Sequence, residues 1–247
     1  MTKAPHHIVK SFDEELDGLN EIVVRMGGLA ESQLAAAIDA LVERDSGLAA
    51  RVVRQDAAID ALEERLDHDA VRLLALRQPM ADDLREVISA LKISSDLERI
   101  GDYAANVAKR VMALNRTAPI QPVRAIPRMA RLVQDIIRDT LEAYVGRDAE
   151  RAVDVWRRDE EVDEMYTGLF RELLTYMMED PRNISAGTHL LFIAKNIERM
   201  GDHATNVAET IYFLVTGRRL EGDRPKGDTT SFEVVRPPKD NEGSDRP

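Results

Sequence analysis

The stretch DLERIGDYAANVAKR, residues 96–110, recurs one hundred positions later as NIERMGDHATNVAET, residues 196–210. Both copies place Glu-Arg, an apolar residue and Gly-Asp ahead of an alanine and the triplet Asn-Val-Ala. Each copy belongs to an apolar row that recurs every three or four residues, which is typical of a helix packed against antiparallel neighbours. The two rows consist of Leu97, Ile100, Ala104, Val107, Val111 and Leu114, and of Ile197, Met200, Ala204, Val207, Ile211 and Leu214.

The repetition extends upstream of these two stretches. DAAIDALEER at 56–65 aligns with DEEVDEMYTG at 159–168, and ALVERD at 40–45 aligns with AYVGRD at 143–148, in both cases at a spacing of 103. The change from 103 to 100 falls near the breakers RQPMADD and EDPRNIS, where loops absorb a length difference at little cost. The chain is therefore predicted to contain two copies of one unit of about a hundred residues.

Helix breakers divide each unit into three segments, and none of these segments alternates with the period of a strand. Ser46-Gly47 and Gln78-Pro79 punctuate the first unit, and Gly146-Arg147 and Asp180-Pro181 punctuate the second. The predicted helices span roughly 10–44, 48–77 and 81–115, then 127–146, 148–179 and 183–216.

The predicted fold class is all-α, with two tandem three-helix bundles related by internal duplication. The first bundle is assigned to residues 8–116 and the second to 127–217, and the proline-rich segment 117–126 is the linker. Residues 218–247 are polar, rich in Pro and Gly and aperiodic, so we expect a disordered C-terminal tail.

Composition excludes several classes of function. The net charge of −11 repels phosphate backbones, so nucleic acid is not expected as a partner. No cysteine is present, which removes disulfides, thiolate metal sites and cysteine nucleophiles. The sequence shows neither an apolar secretory signal nor a run of about 18 apolar residues, so we expect a cytoplasmic protein without a membrane span.

Pairs of carboxylates one helical turn apart are the candidate functional groups. Glu98 and Asp102 lie on a helix face that points away from Ile100, so we expect them on the outer side of the bundle. A hard cation takes carboxylate oxygens as ligands, which makes these residues candidates for binding Mg²⁺, Mn²⁺, iron or Zn²⁺. The full candidate set is Asp56, Asp60, Glu98, Asp102, Asp159, Asp163, Glu198 and Asp202.

Spacing alone leaves two interpretations of these pairs open. With 45 acidic residues in the chain, such pairs also arise by chance, and each one is compatible with a solvated acidic surface. The recurrence of the same pairs in both units favours a site. Gly101 and Gly201 suggest a close approach to the helix backbone, because glycine weakens a helix interior, and Arg99 and Arg199 are candidate counter-ions.

No catalytic constellation is present in the sequence. It lacks the Glu-x-x-His motif of di-iron bundles, a phosphate-binding glycine loop and a Ser/His/Asp series with supporting context. His203 aligns with Tyr103, so it does not belong to a repeated set of ligands. We therefore predict that the chain is not an enzyme.

The duplicated phrase, with acidic pairs one helix earlier, closely resembles the PhoU family over about residues 8–217. The resemblance implies two pseudosymmetric three-helix bundles and a negative regulator of the phosphate-starvation response and of phosphate uptake. It implies a sensor histidine kinase and the ATPase of the phosphate ABC transporter as partners, and a homodimer, which is common among relatives. It also implies metal ions or clusters at Glu/Asp-x-x-x-Asp motifs, which fall on the eight acids named above.

Two alternatives remain open from the sequence. One is a helical scaffold or adaptor that has no phosphate role and binds no metal, with every acidic pair at the surface. The other is an all-α metalloenzyme, for which histidine ligands and an acid–base pair are missing.

Overall fold

The computed structural model describes residues 5–120, 124–222 and 230, and every regular element in this part of the chain is helical. The described residues form eight α-helices, and a short 3₁₀ turn, Pro181–Asn183, precedes the last of them. They are α1 Pro5–Glu43, α2 Ser46–Gln55, α3 Ala57–Arg77, α4 Asp82–Leu114, α5 Ile126–Gly146, α6 Ala149–Arg157, α7 Asp159–Glu179 and α8 Ile184–Thr216.

A repeated Arg-Asp pair builds the turn between the first and middle helices of each unit. Arg44 and Arg147 adopt left-handed backbone conformations with φ of 57° and 49°, which ends α1 and α5. Asp45 then accepts hydrogen bonds from the backbone N–H groups of residues 47 and 48, and Asp148 does the same for residues 150 and 151. An aspartate in this position satisfies the free donors at a helix start. The ALVERD and AYVGRD motifs therefore encode the same turn twice.

Each middle segment consists of two helices and not of the single helix predicted from the sequence. The break lies at Asp56 in the first unit and at Arg158 in the second. At both positions the carbonyl bonds the N–H three residues later, from Ile59 at 2.8 Å and from Glu161 at 3.2 Å. This tighter turn interrupts the α-helical ladder while the backbone stays in the helical region. Neither break contains Gly or Pro, so no breaker residue marks it in the sequence.

The third helices α4 and α8 pack against each other in antiparallel orientation. Asp96 on α4 contacts His203 on α8, with 2.8 Å between the carboxylate and Nδ1, whereas Arg110 near the other end of α4 contacts His189. All twelve residues of the two predicted apolar rows are buried. The prediction that these rows form the packing seams is confirmed.

The two bundles share one hydrophobic core to which all eight helices contribute. The first helices α1 and α5 also meet, where Gly27 lies against the Leu141 side chain and Arg138 bonds Glu31 at 2.7 Å. A Cβ at Gly27 would come within 3 Å of Leu141, so the glycine permits this close crossing. No described helix combines the length and the apolar character that a membrane-spanning segment requires.

The predicted fold class is confirmed by this helical architecture and its two related units. Of the predicted linker 117–126, residues 121–123 lie outside the described residues, and α5 begins at Ile126. Of the predicted disordered tail, only 218–222 and 230 are described. The assigned domain boundaries stay a prediction.

The shared core predicts that the two units unfold together. Ile100→Ala removes a fully buried side chain from α4, which is expected to cost about 2–5 kcal/mol. Denaturant unfolding is followed by circular dichroism and by the fluorescence of Trp156, the only tryptophan, which lies in the second unit. Both signals should shift to the same lower midpoint.

Val71→Ala is the matched control, because Val71 is 63% exposed on α3 and surface substitutions change stability by about 0.5 kcal/mol or less. A circular dichroism transition that separates from an unshifted Trp156 transition would contradict the shared core.

Candidate metal site

The acidic cluster of the first unit forms where α2 and α3 meet α4. Asp56 stands at the break between α2 and α3, and Asp60 lies in the first turn of α3. Glu98 and Asp102 lie one turn apart on α4, with side chains 17% and 38% exposed. Asp56 is half-buried and Asp60 is exposed. The four predicted residues of this unit therefore gather on two neighbouring helices, at the border of the core.

Burial and mutual repulsion disfavour the charged forms of this cluster. Burial, together with the charges of Asp102 and Asp60, raises the pKa of Asp56 to about 6. Burial and the charge of Asp102 raise the pKa of Glu98 to about 7, although the guanidinium of Arg99 opposes the shift. A bound cation would offset the same repulsion that these protons relieve.

Glu63 joins this cluster, although sequence reasoning did not select it. Burial raises its pKa, and the charges of Asp67, Asp60 and Asp102 add to the effect. Residues 56, 60, 63 and 67 follow the spacing of one helix face, so an acidic row on α3 was the signal that could have identified Glu63.

Two polar groups beside this cluster are buried without a partner. Oδ1 of Asp56 and both amide atoms of Gln33 on α1 have no hydrogen bond within the described residues. Gln33 is 3% exposed. A Cβ built at Gly101 would lie 3.5 Å from Asp56 Oδ1 and 3.5 Å from Gln33 Oε1. The bare backbone of Gly101 thus forms the floor of a small cradle that these two oxygens share with the Ile59 Cδ1 methyl, 2.7 Å from the same Cβ position. An unsatisfied buried group is costly unless something binds it.

The cluster of the second unit is buried, which corrects the prediction that all the acids lie on the outer side. Asp159, Asp163 and Glu198 are only 2%, 3% and 4% exposed, and Asp202 is partly buried. The helix face opposite the apolar row is covered because α6 and α7 pack on α8. A third helix enclosed on several sides has more than one buried face.

Lys195 and Thr205 each bond one acid of the second cluster from within α8. Lys195 Nζ donates to Glu198 Oε1 at 2.8 Å and lies 4.8 Å from the centre of the Tyr166 ring. The Thr205 hydroxyl donates to Asp159 Oδ1 at 3.2 Å. This cluster therefore contains its own cation.

Glu198 remains difficult to ionise despite the lysine. Burial raises its pKa to about 7, the hydrogen bond from Lys195 lowers it, and the charges of Asp202 and Asp163 raise it again. Its Oε2 is buried without a hydrogen-bond partner in the described part of the chain. The desolvation of the carboxylate therefore outweighs its ion pair.

The predicted arginine counter-ions behave differently in the two units. Arg99 bonds Asp102 at 3.1 Å and lies 3.5 Å from Glu98, so its predicted role is confirmed. Arg199 instead lies over the Tyr103 ring at 5.8 Å, and Lys195 supplies the cation of the second cluster.

Both clusters supply the oxygen ligands that hard divalent cations prefer. As the side chains stand, no three histidine or acidic residues of the described ranges 5–120 and 124–222 are close enough together to hold an ion. The first cluster nevertheless fits a cation by its donor atoms, because Asp56 and Gln33 present unpartnered oxygens at one cradle. Water would complete the coordination, since Mg²⁺ usually retains several water ligands.

The chain matches the PhoU domain twice, at residues 23–111 and 126–211. It is 55% identical to a phosphate-specific transport system accessory protein PhoU homolog of Caulobacter vibrioides, over 91% of this chain and 98% of that protein. A homolog of the same name from Rhizobium meliloti is 50% identical over 91% of this chain and 95% of that protein.

Two crystal structures share the fold. PhoU from Pseudomonas aeruginosa superposes with a TM-score of 0.81 at 41% identity, covering 84% of this chain and 100% of that chain. The phosphate transport system regulatory protein PhoU from Streptococcus pneumoniae gives a TM-score of 0.79 at 32% identity, covering 85% and 99%.

Alanine substitutions at the two equivalent glycines are predicted to have opposite effects. A Cβ at Gly101 would lie 2.7 Å from Ile59 Cδ1, whereas at Gly201 the nearest atom is Val162 Cγ1 at 3.4 Å. Gly201→Ala should raise the free energy of unfolding by about 0.5–1 kcal/mol. Gly101→Ala should lower it, because overpacking costs about 1–3 kcal/mol. Denaturant titration compares the two, and equal effects would contradict a close approach that is specific to Gly101.

Glu198 is predicted to make the metal-free protein less stable as pH rises. Its pKa in the folded chain is about 7, above the ordinary value of 4.5, so the folded state holds the proton more tightly. This stabilisation is complete below pH 4.5 and is lost as pH rises through 7. Glu198→Gln should therefore gain melting temperature relative to the wild type between pH 5 and pH 8 in the presence of chelator.

Glu164→Gln, at an exposed position on α7, is the control and should follow the wild type at every pH. A Glu198→Gln curve parallel to the wild type would show that Glu198 ionises normally.

Proposed function

The chain belongs to the PhoU family, and on this premise we propose that it is a cytoplasmic negative regulator of phosphate uptake and of the phosphate-starvation response. The observation that carries the proposal is the pair of PhoU domain matches. They cover most of both helical units, apart from the first half of α1. Relatives named as accessory proteins of the phosphate-specific transport system align over nearly their whole length. The similarity on which the proposed function rests therefore extends over both helical units and is not limited to one shared segment.

We propose that the regulator acts by protein–protein contact. Its partners would be the sensor histidine kinase of the phosphate regulon and the ATPase of the phosphate ABC transporter, as the family resemblance implies. Two bundles that share one hydrophobic core would present their surfaces to a partner as one unit, which suits a protein that holds another in one state. The same resemblance leads us to expect a homodimer, which sedimentation analysis of the purified chain would test.

A regulatory role also suits the acidic clusters better than catalysis does. The unusual pKa values belong to carboxylates placed between helices. His203, which follows Asp202 of the second cluster, is engaged with Asp96 across the α4–α8 contact. The Thr205 hydroxyl, which bonds the Asp159 carboxylate, is fully buried, so a substrate does not reach it. We therefore propose a protein without enzymatic activity.

Divalent cation binding at the acidic clusters is the second part of the proposal. Asp56 and Asp60 from the middle segment and Glu98 and Asp102 from α4 would hold the ion in the first unit. A cation shared by these helices would offset their like charges and fix α3 against α4. The unpartnered oxygen of Asp56 supports this assignment.

Deletion of the gene is predicted to release the phosphate-starvation response. A strain that lacks it should express alkaline phosphatase in phosphate-rich medium, because the negative regulator of the kinase is missing. Phosphatase activity is measured in the deletion strain and in the same strain complemented with the wild-type gene. Normal repression in the deletion strain would contradict the proposal and favour a helical scaffold without a phosphate role.

Affinity capture from phosphate-replete cells tests the partners separately. The tagged full-length chain should retain the sensor kinase and the transporter ATPase, identified by their peptides. Capture of neither protein, with repression intact in the complemented strain, would contradict regulation by direct contact.

A further inference from the structure

The two ends of the α4–α8 contact carry different side chains at equivalent positions of the repeat. At one end, Asp96 contacts His203 Nδ1 at 2.8 Å and accepts a hydrogen bond from Asn206 at 3.3 Å. At the other end, one repeat of one hundred residues away, the places of Asp96 and Asn206 are taken by Asn196 and Asn106. The carboxylate that closes the first end is therefore a neutral amide at the second.

The end without that carboxylate is an open groove between α4 and α8, which we call the Arg110 groove. Its volume of about 420 Å³ lies in the range of small-molecule sites. None of the residues that line it is acidic. The polar and aromatic side chains of its walls are Asn106, Lys109, Arg110, His189, Phe192 and Asn196.

The Arg110 guanidinium is held in place by its neighbours, while most of its donors stay available. Its carbon lies 3.9 Å from the centre of the Phe192 ring, and one of its nitrogens lies 3.5 Å from His189 Nδ1. Because a guanidinium only donates, Nδ1 is the acceptor in this contact. Stacking occupies the face of the guanidinium, so its N–H edge remains free to bind two oxygens side by side.

Neither cation of the groove has an acidic partner in the part of the chain that the structure describes. Lys109 Nζ contacts Asn106 Oδ1 at 3.4 Å, and Arg110 contacts His189. Burial raises the pKa of Asp56, and the charge of Lys109 partly opposes that shift, but Asp56 does not line the groove. Acidic residues outnumber basic ones by 45 to 34, so two adjacent unpaired cations point to an anion from outside the chain.

The equivalent place in the second unit has the opposite character. Lys109 and Arg110 correspond to Glu209 and Thr210 at the spacing of one hundred. Glu209 accepts a hydrogen bond from Trp156 Nε1 at 2.9 Å, so its carboxylate is satisfied within the fold. The duplicated backbone is therefore compatible with either charge, and the cations of the Arg110 groove are not required by the packing of α4 against α8.

We propose that the Arg110 groove binds the phosphoryl group of a small molecule, either inorganic phosphate or a phosphate ester. The N–H edge of Arg110 binds two of its oxygens, and the Lys109 ammonium supplies the second positive charge. The amides of Asn106 and Asn196 supply further donors. This inference goes beyond the proposed regulatory role and does not depend on it.

Charge and size both favour a phosphoryl group over a carboxylate. A phosphate monoester carries a charge of about −1.5 to −2 and three strong acceptor oxygens, which matches two cations and two amides, whereas a carboxylate carries a single charge. The net charge of −11 repels anions in general, so binding requires the local cations. The groove also has room for an organic part beside the phosphoryl group.

Calorimetric titration of the full-length chain tests the inference and separates the two sources of phosphate. Metal is first removed with a chelator, and the chelator is then dialysed away into chloride buffer, so that no cation at the acidic clusters holds the anion. Inorganic phosphate, AMP and adenosine are titrated separately. We expect one equivalent of phosphate or AMP to bind and adenosine not to bind.

The relative affinities identify the ligand class. Tighter binding of AMP indicates a phosphate ester, and binding of phosphate at least as tight as that of AMP indicates the free ion. Adenosine that binds as tightly as AMP would overturn the inference, as would the absence of binding by both phosphate and AMP at millimolar concentration.

Charge-matched variants locate the site. Arg110→Gln and Lys109→Gln should each weaken binding at least about tenfold, because each removes charged hydrogen bonds to the anion. Lys92→Gln is the control, since it removes one exposed positive charge from α4 at the other end of the α4–α8 contact, and it should leave the affinity unchanged. Equal losses in all three variants would show general attraction by charge and overturn the inference.

Asn196→Asp tests the groove without removing either cation. It copies Asp96 of the other end and changes the net charge by the same amount as Lys92→Gln. The new carboxylate should pair with the cations and repel the anion, which weakens binding at least about tenfold, while circular dichroism shows an intact fold. Unchanged affinity in Asn196→Asp would place the anion outside the groove and overturn the inference.

An acidic segment of a partner protein would use the same cations, so an oligoglutamate peptide is titrated in parallel. Peptide binding that is lost in Arg110→Gln, with no binding of phosphate or AMP, would identify a protein-docking groove and overturn the inference. The regulatory proposal is decided separately, by alkaline phosphatase activity in the deletion strain. Either result can therefore fail without the other.

Discussion

The antiparallel packing of α4 against α8 is the contact on which the rest of the molecule depends. Each helix is 33 residues long, and each also packs against the other helices of its own unit. A helix enclosed on several sides keeps only a narrow exposed row, such as Lys92, Ser95 and Arg99 on α4, so an acid outside that row lies against a neighbouring helix. This enclosure turns Glu98 and Glu198 from surface residues into groups whose pKa values rise to about 7. The electrostatics of both clusters therefore follow from the packing.

Duplication has produced one backbone plan with two ways of compensating like charges. The second unit buries its acids more deeply, and Lys195 and the Thr205 hydroxyl donate hydrogen bonds to two of them. The first unit is more open and places Arg99 at its surface, where an exposed ion pair contributes little. The inner oxygen of Asp56 remains without a partner in the described residues. Identical acidic motifs are therefore compatible with different chemistry, because the residues around them come from other helices.

The regulatory proposal and the cation proposal rest on different evidence. Family membership supports the first, because the domain matches and the solved structures span both units. The second rests on the unpartnered atoms of Asp56 and Gln33 and on their position beside the Gly101 backbone. The Glu/Asp-x-x-x-Asp spacing by itself supports neither strongly, since it is shared by the two clusters although their surroundings differ.

The sequence by itself determined the duplication, the apolar rows of α4 and α8 and the two Arg-Asp turns, because these features depend on residues that are close along the chain. Tertiary structure decided the breaks at Asp56 and Arg158, the deep burial of the second cluster and the inclusion of Gln33 in the first. Helical periodicity shows which residues share a face, but it does not show how many neighbours cover that face. Residues 33, 56 and 101 meet only because three helices pack together, and no local pattern encodes that meeting.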